Sequence, residues 1–281
     1  MEAVETRHDT VKSLLRPLVR RILSPAAVHS LRYRWWCLSS YFPRLTASRV
    51  VKRVLEVRRF GVAPDPSDFA TQLRSMNVFA PTKMCHVMTK YGSDKGRSNN
   101  YTPIYSALFK ERYEQPLRIL ELGLGTNNPD APSSMGVFGM PGASLRGWRE
   151  LFPTAEVFGA DIDRGILFQE DRIKTFYCDQ LDRASIRELW SQPDLQGGMD
   201  IIIEDGLHTF DANVTFLEES LTQLRPGGIY ITEDIGSLYF EQWYTVLQTI
   251  YSKQYPNYEF AFVIQANPGW NNLLVIRRNA G

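Results

Sequence analysis

Residues 118–125 read RILELGLG, an apolar run of strand length that breaks on two glycines. A strand that ends this way can turn sharply and bring its backbone close to a ligand, because no Cβ stands in the way. Working outward, four more short β-rich runs follow: EVFGADID at 156–163, KTFYCDQ at 174–180, DIIIED at 200–205 and GIYITED at 228–234. Their nearly unbroken apolar cores predict strands covered on both faces, as in a parallel sheet. Segments with helical spacing separate most of them, at 144–151, 184–190, 213–224 and 240–251. Two last runs, 258–264 and 273–277, flank an Asn/Pro/Gly turn and predict an antiparallel hairpin. The expected architecture is α/β: a Rossmann-like, doubly wound, mostly parallel sheet of seven strands that closes on a C-terminal hairpin. Ligands of such sheets lie beyond the carboxyl ends of the strands.

The residues at those ends narrow the ligand. Gly123 and Gly125 form the turn, but the third glycine of a dinucleotide fingerprint is missing and residues 126–143 intervene. Glu121 lies inside the turn, where its charge would repel a phosphate and suit a cation. Asp161, at the tip of the second run, is placed to accept from a ribose diol, and Asp179 and Gln180 end the third, where a base would lie. Any one of these acids could merely cap a helix. Together they point to an adenosine with a positive tail and no phosphate, S-adenosylmethionine.

The fourth run ends in Glu204-Asp205-Gly-Leu-His208 and the fifth in Glu233-Asp234. Neighbouring tips would crowd these carboxylates, and like charges raise one another's pKa unless a cation compensates them. Asp205, Glu233 and Asp234 are the expected ligands of Mg²⁺ or Mn²⁺, which would hold substrate hydroxyls. His208 is the expected general base, since an unperturbed imidazole titrates near about 6.5. The plainer alternative makes these residues solvent-facing starts of helices.

Charge divides the chain. Residues 1–60 hold 13 Lys and Arg against 4 Asp and Glu, a balance of +9, whereas the rest carries a balance of −8. In this basic arm, Leu14, Leu15, Leu18, Val19, Ile22 and Leu23 recur at helical spacing among arginines, and Val50, Val51, Val54 and Leu55 repeat the pattern. It reads as a basic helical N-terminal extension. Two roles stay open for it: a peripheral contact with a membrane or polyanion, or a helical subdomain packed on the body or on a second subunit of a homo-oligomer. Residues 61–67, GVAPDPS, read as a linker, so that 1–67 is extension and 68–281 is the catalytic domain.

Composition excludes other classes. With 43% hydrophobic residues the chain is not disordered. No run of about 18 apolar residues predicts a membrane-spanning helix. The first 23 residues, broken by charge and Pro17, lack the apolar run of a leader, so a cytoplasmic location is expected, with the arm at the inner face of the membrane as the sharper variant. Cys37, Cys85 and Cys178 make no CxxC pair, so neither a disulfide framework nor a zinc site is expected.

In order along the chain, KYGSDKG (90–96), YTPIY (101–105), ILELGLG, GASLRGW (142–148), FGADID, Asp179-Gln180, EDGLH, RPGG (225–228) and TEDI form a pattern. The chain resembles class I S-adenosylmethionine-dependent methyltransferases, and within them the Mg²⁺-dependent sugar O-methyltransferases of macrolide tailoring (the mycinamicin type) and of polysaccharide loci. The resemblance implies that Glu121, Gly123, Gly125, Ser144, Asp161, Asp179 and Gln180 line the cofactor site, with Ser93 reaching it from a lid. It also implies Asp205, Glu233 and Asp234 as metal ligands and His208 as base. Relatives of this type carry two aspartates where this chain has Glu204-Asp205. Their counterpart of residues 126–143 is shorter, which makes that segment an expected ordered loop on the substrate side. The implied activity is methylation of a hydroxyl on a sugar or glycosylated substrate. A small catechol or polyol would use the same residues, and a non-catalytic subunit of a membrane-associated polysaccharide complex is the alternative of another class. Nucleic acid is not an expected partner, because the body is acidic and lacks the Asn/Asp-Pro-Pro-aromatic segment of base methylation.

Overall fold

The computed structural model describes residues 56–60 and 82–280, apart from 98, 132, 138 and 266–268. Nine strands lie among them: β1 (Glu56–Phe60), β2 (Arg118–Leu122), β3 (Glu156–Asp161), β4 (Gln169–Glu170), β5 (Ile173–Tyr177), β6 (Met199–Glu204), β7 (Leu224–Ile235), β8 (Tyr258–Ile264) and β9 (Asn272–Arg278). They form one sheet in the order β1-β8-β9-β7-β6-β2-β3-β5-β4. The five expected inner strands, β2, β3, β5, β6 and β7, pair in parallel. The expected hairpin of β8 and β9 joins antiparallel through β9 to β7.

The two further strands were not foreseen. β4 has only two residues, too short to leave a periodic signal. β1 corrects the reading of the basic arm as wholly helical, because 56–60 pairs antiparallel with β8, from Glu56 opposite Ile264 to Phe60 opposite Phe260. The exposed edge of β8 offers unpaired backbone groups, and a paired strand satisfies them whatever the local helical spacing. Arg58 lays its guanidinium 4.6 Å from the centre of the Tyr244 ring. The rest of the arm, the linker at 61–67 and its boundary lie outside the described residues.

Helices cover both faces. On one side lie α1 (Lys83–Tyr91), the short α2 (Asp94–Arg97), α3 (Thr102–Phe109) and α4 (Ala143–Leu151). The opposite side carries α5 (Arg183–Ser191), α6 (Phe210–Ser220) and α7 (Phe240–Val246), the last continued by a π-helical turn, Leu247–Tyr251. Thr82 caps α1 by accepting from the Cys85 amide at 3.3 Å, and Gly92, at φ 86°, ends it. Asp182 and Thr209 cap α5 and α6 in the same way. Met84, Met88, Ile104, Tyr105 and Trp148 pack one face of the sheet, and Ile186, Phe216, Leu217 and Trp243 the other. Burial on both faces explains the unbroken apolar runs of β2, β6 and β7.

The chain lays β3 and β5 to one side of β2, then returns to place β6 and β7 on the other. That reversal opens a crevice at the carboxyl ends of β2 and β6. No helix among the described residues is long and apolar enough to cross a membrane.

Candidate active site

The crevice is built on Gly123. With φ at 91° it adopts a backbone that side chains rarely take, and a Cβ there would overlap the carbonyl oxygen of Asp205. Glycine thus lets the tips of β2 and β6 touch, with the Asp205 amide donating to Leu122 O at 2.9 Å. Beside this contact lies an open cleft. Five of the expected cofactor residues line it, Ser93, Glu121, Gly123, Gly125 and Ser144, together with Asp205. The 126–143 segment, expected on the substrate side, lends Met135 and Met140 to the cofactor cleft and is tied down by Met135 N donating to Thr126 O and Gly142 N to Leu124 O.

Asp161, Asp179 and Gln180 do not line this cleft; they stand at the neighbouring tips of β3 and β5. Both oxygens of Asp161 take backbone amides, Leu124 N at 2.7 Å and Asp163 N at 2.8 Å, so this carboxylate holds the glycine turn in place. Burial raises its pKa despite those bonds. Asp179 accepts from the Leu181 amide at 2.9 Å. Gln180 donates to Glu204 at 2.6 Å and accepts from Leu207 N at 2.9 Å, bracing the loop that carries His208. Each is a buried or half-buried polar group that found a local partner, as such groups must. Next to them Ile162 and Leu181 stay more than half exposed, two apolar side chains at the same strand tips.

Asp205, His208 and Asp234 come together, with ligand atoms all within 4.8 Å of one another. His208 and Asp234 both sit at positive φ, 61° and 52°. Such strain in non-glycine residues is held only where the surroundings over-determine it, and it concentrates at functional sites. The Nδ1 of His208 is buried and has no hydrogen-bond partner.

Glu233, the third expected ligand, is not brought into this group. The β7 ladder shifts register between Thr232 and Ile235, with Asp234 at φ 52°, and Glu233 turns toward the helices α2 and α3. There its carboxylate accepts from Lys95 Nζ at 2.7 Å and from the Tyr105 hydroxyl. Glu204 is also fully buried, and its Oε2 has no partner.

Sequence reasoning missed the residues that organise these acids. The Lys95 ammonium is 1% exposed and lies 2.7 Å from Asp205, 2.7 Å from Glu233 and 3.4 Å from Glu121, joining three strand tips. Tyr101 donates to Asp234 at 2.5 Å, and Glu121 receives Ser144 Oγ and Trp148 Nε1, each at 2.5 Å. The signal lay in KYGSDKG and YTPIY, where Lys95 and the tyrosines Tyr101 and Tyr105, four apart, share a segment that the strand pattern leaves unexplained.

Charge at the site is unbalanced toward the negative. Burial works against the Lys95 cation, but Asp205, Glu121 and Glu233 outweigh it and hold the ammonium well above its usual pKa. Burial pushes Asp234 up to about 6 and Glu204 up to about 7, and raises Glu233 and Glu121 as well. One ammonium does not compensate so many acids. Asp205 and Asp234 offer hard oxygen donors, so the donors and their charge both fit a divalent cation, with the His208 imidazole beside them. The cleft's lining sets three acids, Asp94, Glu121 and Asp205, against the one Lys95 ammonium, an excess that fits a positively charged ligand.

No family model matches the chain. It is 33% identical over 151 residues to 8-demethyl-8-alpha-L-rhamnosyl tetracenomycin-C 2'-O-methyltransferase of Streptomyces olivaceus, covering 54% of this chain and 37% of that protein. To the 3'-O-methyltransferase acting on the 2-methoxy-rhamnosyl compound in the same organism it is 31% identical over 179 residues, 61% of this chain and 43% of the other. Mycinamicin VI 2''-O-methyltransferase of Micromonospora griseorubida is 32% identical over 142 residues, half of this chain and 32% of that enzyme. The chain thus spans less than half the length of these curated relatives. Among solved structures, the MycE methyltransferase of the mycinamycin biosynthetic pathway, in complex with Mg and SAH, superposes with a TM-score of 0.55 at 22% identity, over 72% of this chain and 56% of that one. The curated relatives are O-methyltransferases, and the fold is the one MycE has.

Proposed function

We propose that the chain is an S-adenosylmethionine-dependent O-methyltransferase that acts on a hydroxyl of a glycoside. One observation carries the reading: the glycine-turned cleft opens directly onto the Asp205–His208–Asp234 group, with Asp205 belonging to both. Support comes from the relatives, whose names describe methylation of rhamnosyl and macrolide substrates.

The residues divide the work. Ser93, Gly123, Gly125 and Ser144 shape the cofactor cleft, Glu121 supplies negative potential beside it, and Ile162 and Leu181 flank the place for the adenine, with Asp161 at the ribose side and Asp179 and Gln180 on the side of the base. Asp205 and Asp234 would hold Mg²⁺ or Mn²⁺, with Glu233 behind them on Lys95; a bound divalent cation supplies orientation of the acceptor and a lowered hydroxyl pKa. His208 takes the proton of the acceptor hydroxyl. The oxygen then gains the methyl group, and the electron pair of the carbon–sulfur bond stays on sulfur, which turns the sulfonium into a neutral thioether. Displacement of this kind needs oxygen, carbon and sulfur in line, so the rigid contact between the β2 and β6 tips is the main contribution of the fold.

The test uses trideuteromethyl-labelled S-adenosylmethionine with a panel of rhamnosides and catechols, and mass spectrometry of the products with and without EDTA. Label on a rhamnoside, lost with EDTA and reduced about 10²-fold or more in His208→Ala, is the expected result. Transfer to catechols alone would replace the sugar reading with the small-molecule one, and undiminished transfer by His208→Ala would remove His208 from its role.

A further inference from the structure

The turn between β8 and β9 stands at the same edge of the sheet as the site, because Asn272 of β9 pairs with Ile235 of β7, next to Asp234. Described residues of this turn are tied firmly to their surroundings. Ser237 N donates to Gly269 O at 3.0 Å, and Asn272 Nδ2 donates to Ile235 O at 2.7 Å. Asn271 Nδ2 reaches Asn99 Oδ1 at 3.2 Å, in the segment whose Lys95 and Tyr101 bind Asp205 and Asp234. The result is a tryptophan on display. Trp270 is 56% exposed and lies over Gly236, where a Cβ would come within 3.1 Å of the indole Cε3 and Cζ3. Leu238, 61% exposed, lies beside the indole on the same side of Gly236, where its Cγ would stand 3.7 Å from that Cβ. At the foot of the turn, Gln265 ends buried with neither amide atom partnered, a cost the fold does not recover from its own groups.

Large apolar side chains held in the open beside polar machinery mark contact surfaces. An indole fixed by backbone bonds presents its face at little cost in conformational entropy. A pyranose has a matching apolar side, the face of its ring C–H bonds, and a 6-deoxyhexose extends that side with a methyl group.

We propose that Trp270 and Leu238, placed over and beside Gly236 two residues beyond Asp234, form the acceptor platform: the indole stacks on the C–H face of a hexose ring, and the leucine selects a 6-deoxyhexoside. This rests on the glycoside O-methyltransferase reading above. The platform leaves the ring hydroxyls free to point toward Asp205, His208 and Asp234, and offers no acceptor or donor to a C6 hydroxyl from the leucine side.

The experiment uses the full chain with Mg²⁺ and compares methyl transfer to methyl α-L-rhamnoside and to its 6-hydroxy counterpart, methyl α-L-mannoside. Wild type, Trp270→Ala, Trp270→Phe and Leu238→Asn are assayed, with S-adenosylhomocysteine affinity measured calorimetrically for each. The expected result is preference of wild type for the rhamnoside, and a KM for it raised about tenfold in Trp270→Ala and largely restored in Trp270→Phe. kcat should stay within about twofold and S-adenosylhomocysteine affinity should not change, which separates a platform from a general loss of structure. Leu238→Asn should narrow the preference between the two sugars. Wild-type turnover with an unchanged KM in Trp270→Ala overturns the platform alone. Wild-type preference for the mannoside overturns the choice of a 6-deoxy sugar. Binding of S-adenosylhomocysteine without transfer to either glycoside contradicts the sugar reading itself, and the platform falls with it.

Discussion

Replacing Lys95 by methionine removes one charge and, with it, the only ammonium that touches three buried or half-buried carboxylates among the described residues. The methionine fills nearly the same volume, so the effect is electrostatic rather than a cavity. Breaking a buried ion pair from one side costs about 3–5 kcal/mol, because the partner is left charged and unsolvated. Glu233 is fully buried and bonded at 2.7 Å, so the full range applies to it, while Asp205, with 21% of its side chain exposed, retains some solvent. Protonation caps the loss: the Glu233 pKa is already raised, and each further unit costs about 1.36 kcal/mol. A net loss of about 3 kcal/mol is expected at neutral pH, or a fall of roughly 6–12 °C in Tm for a domain of this size. The assay is urea denaturation of wild type, Lys95→Met, Glu233→Gln and the double variant, in metal-free buffer. The double variant should be more stable than the sum of the single losses allows, by about 1 kcal/mol or more. A Lys95→Met stability within 1 kcal/mol of wild type, or strict additivity of the two changes, would refute the ion-pair network.

Three further outcomes follow from the same geometry. Gly123→Ala should cost more than about 3 kcal/mol and abolish binding of S-adenosylhomocysteine, because the added methyl meets the Asp205 carbonyl and the backbone is at positive φ; a soluble variant with wild-type Tm would contradict the close contact of β2 and β6. Mn²⁺ binding followed by electron paramagnetic resonance should weaken at least tenfold in Asp205→Asn and in Asp234→Asn, but not in Asp94→Asn, and equal weakening in all three would point to diffuse charge instead of a site. Stability should fall as pH rises above about 9, since burial pushes the Cys178 thiol up to about 12 and raises the Tyr230 and Tyr251 phenols. The sign is fixed by linkage: these acids keep their protons longer when folded, so the unfolded chain loses protons first and gains stability with each unit of pH. A urea midpoint flat from pH 8 to 11 would contradict that burial.

The fold was legible because its inner strands are buried on both faces. Runs such as DIIIED and GIYITED could hardly be anything else, and the glycines of RILELGLG marked where the first of them had to turn. β1 was hidden by arginines spaced as on a helix, and its place comes from an unpaired neighbour, β8, that lies some two hundred residues away in sequence. At the site, the types of residue were readable and their directions were not. Glu233 and Asp234 are adjacent, and the register shift of β7 between Thr232 and Ile235, with Asp234 at positive φ, turns one to Lys95 and the other to His208 and Tyr101. Asp161 and Gln180 were recognised as polar tips, but the amides of Leu124 and Leu207 that occupy them belong to turns whose geometry no local pattern specifies. Lys95 was invisible for a related reason: a buried lysine is recognisable only through the three acids that long-range folding brings around it.

The central claim is that the cleft between β2 and β6 takes S-adenosylmethionine. Calorimetric titration of S-adenosylhomocysteine into the full chain, with and without Mg²⁺, and into Gly125→Val alongside, tests it most directly. Binding in the micromolar range by wild type, lost when a side chain is added at Gly125 in the lining of the cleft, is the predicted result. No heat of binding to wild type in either condition, with the protein folded, would contradict the account.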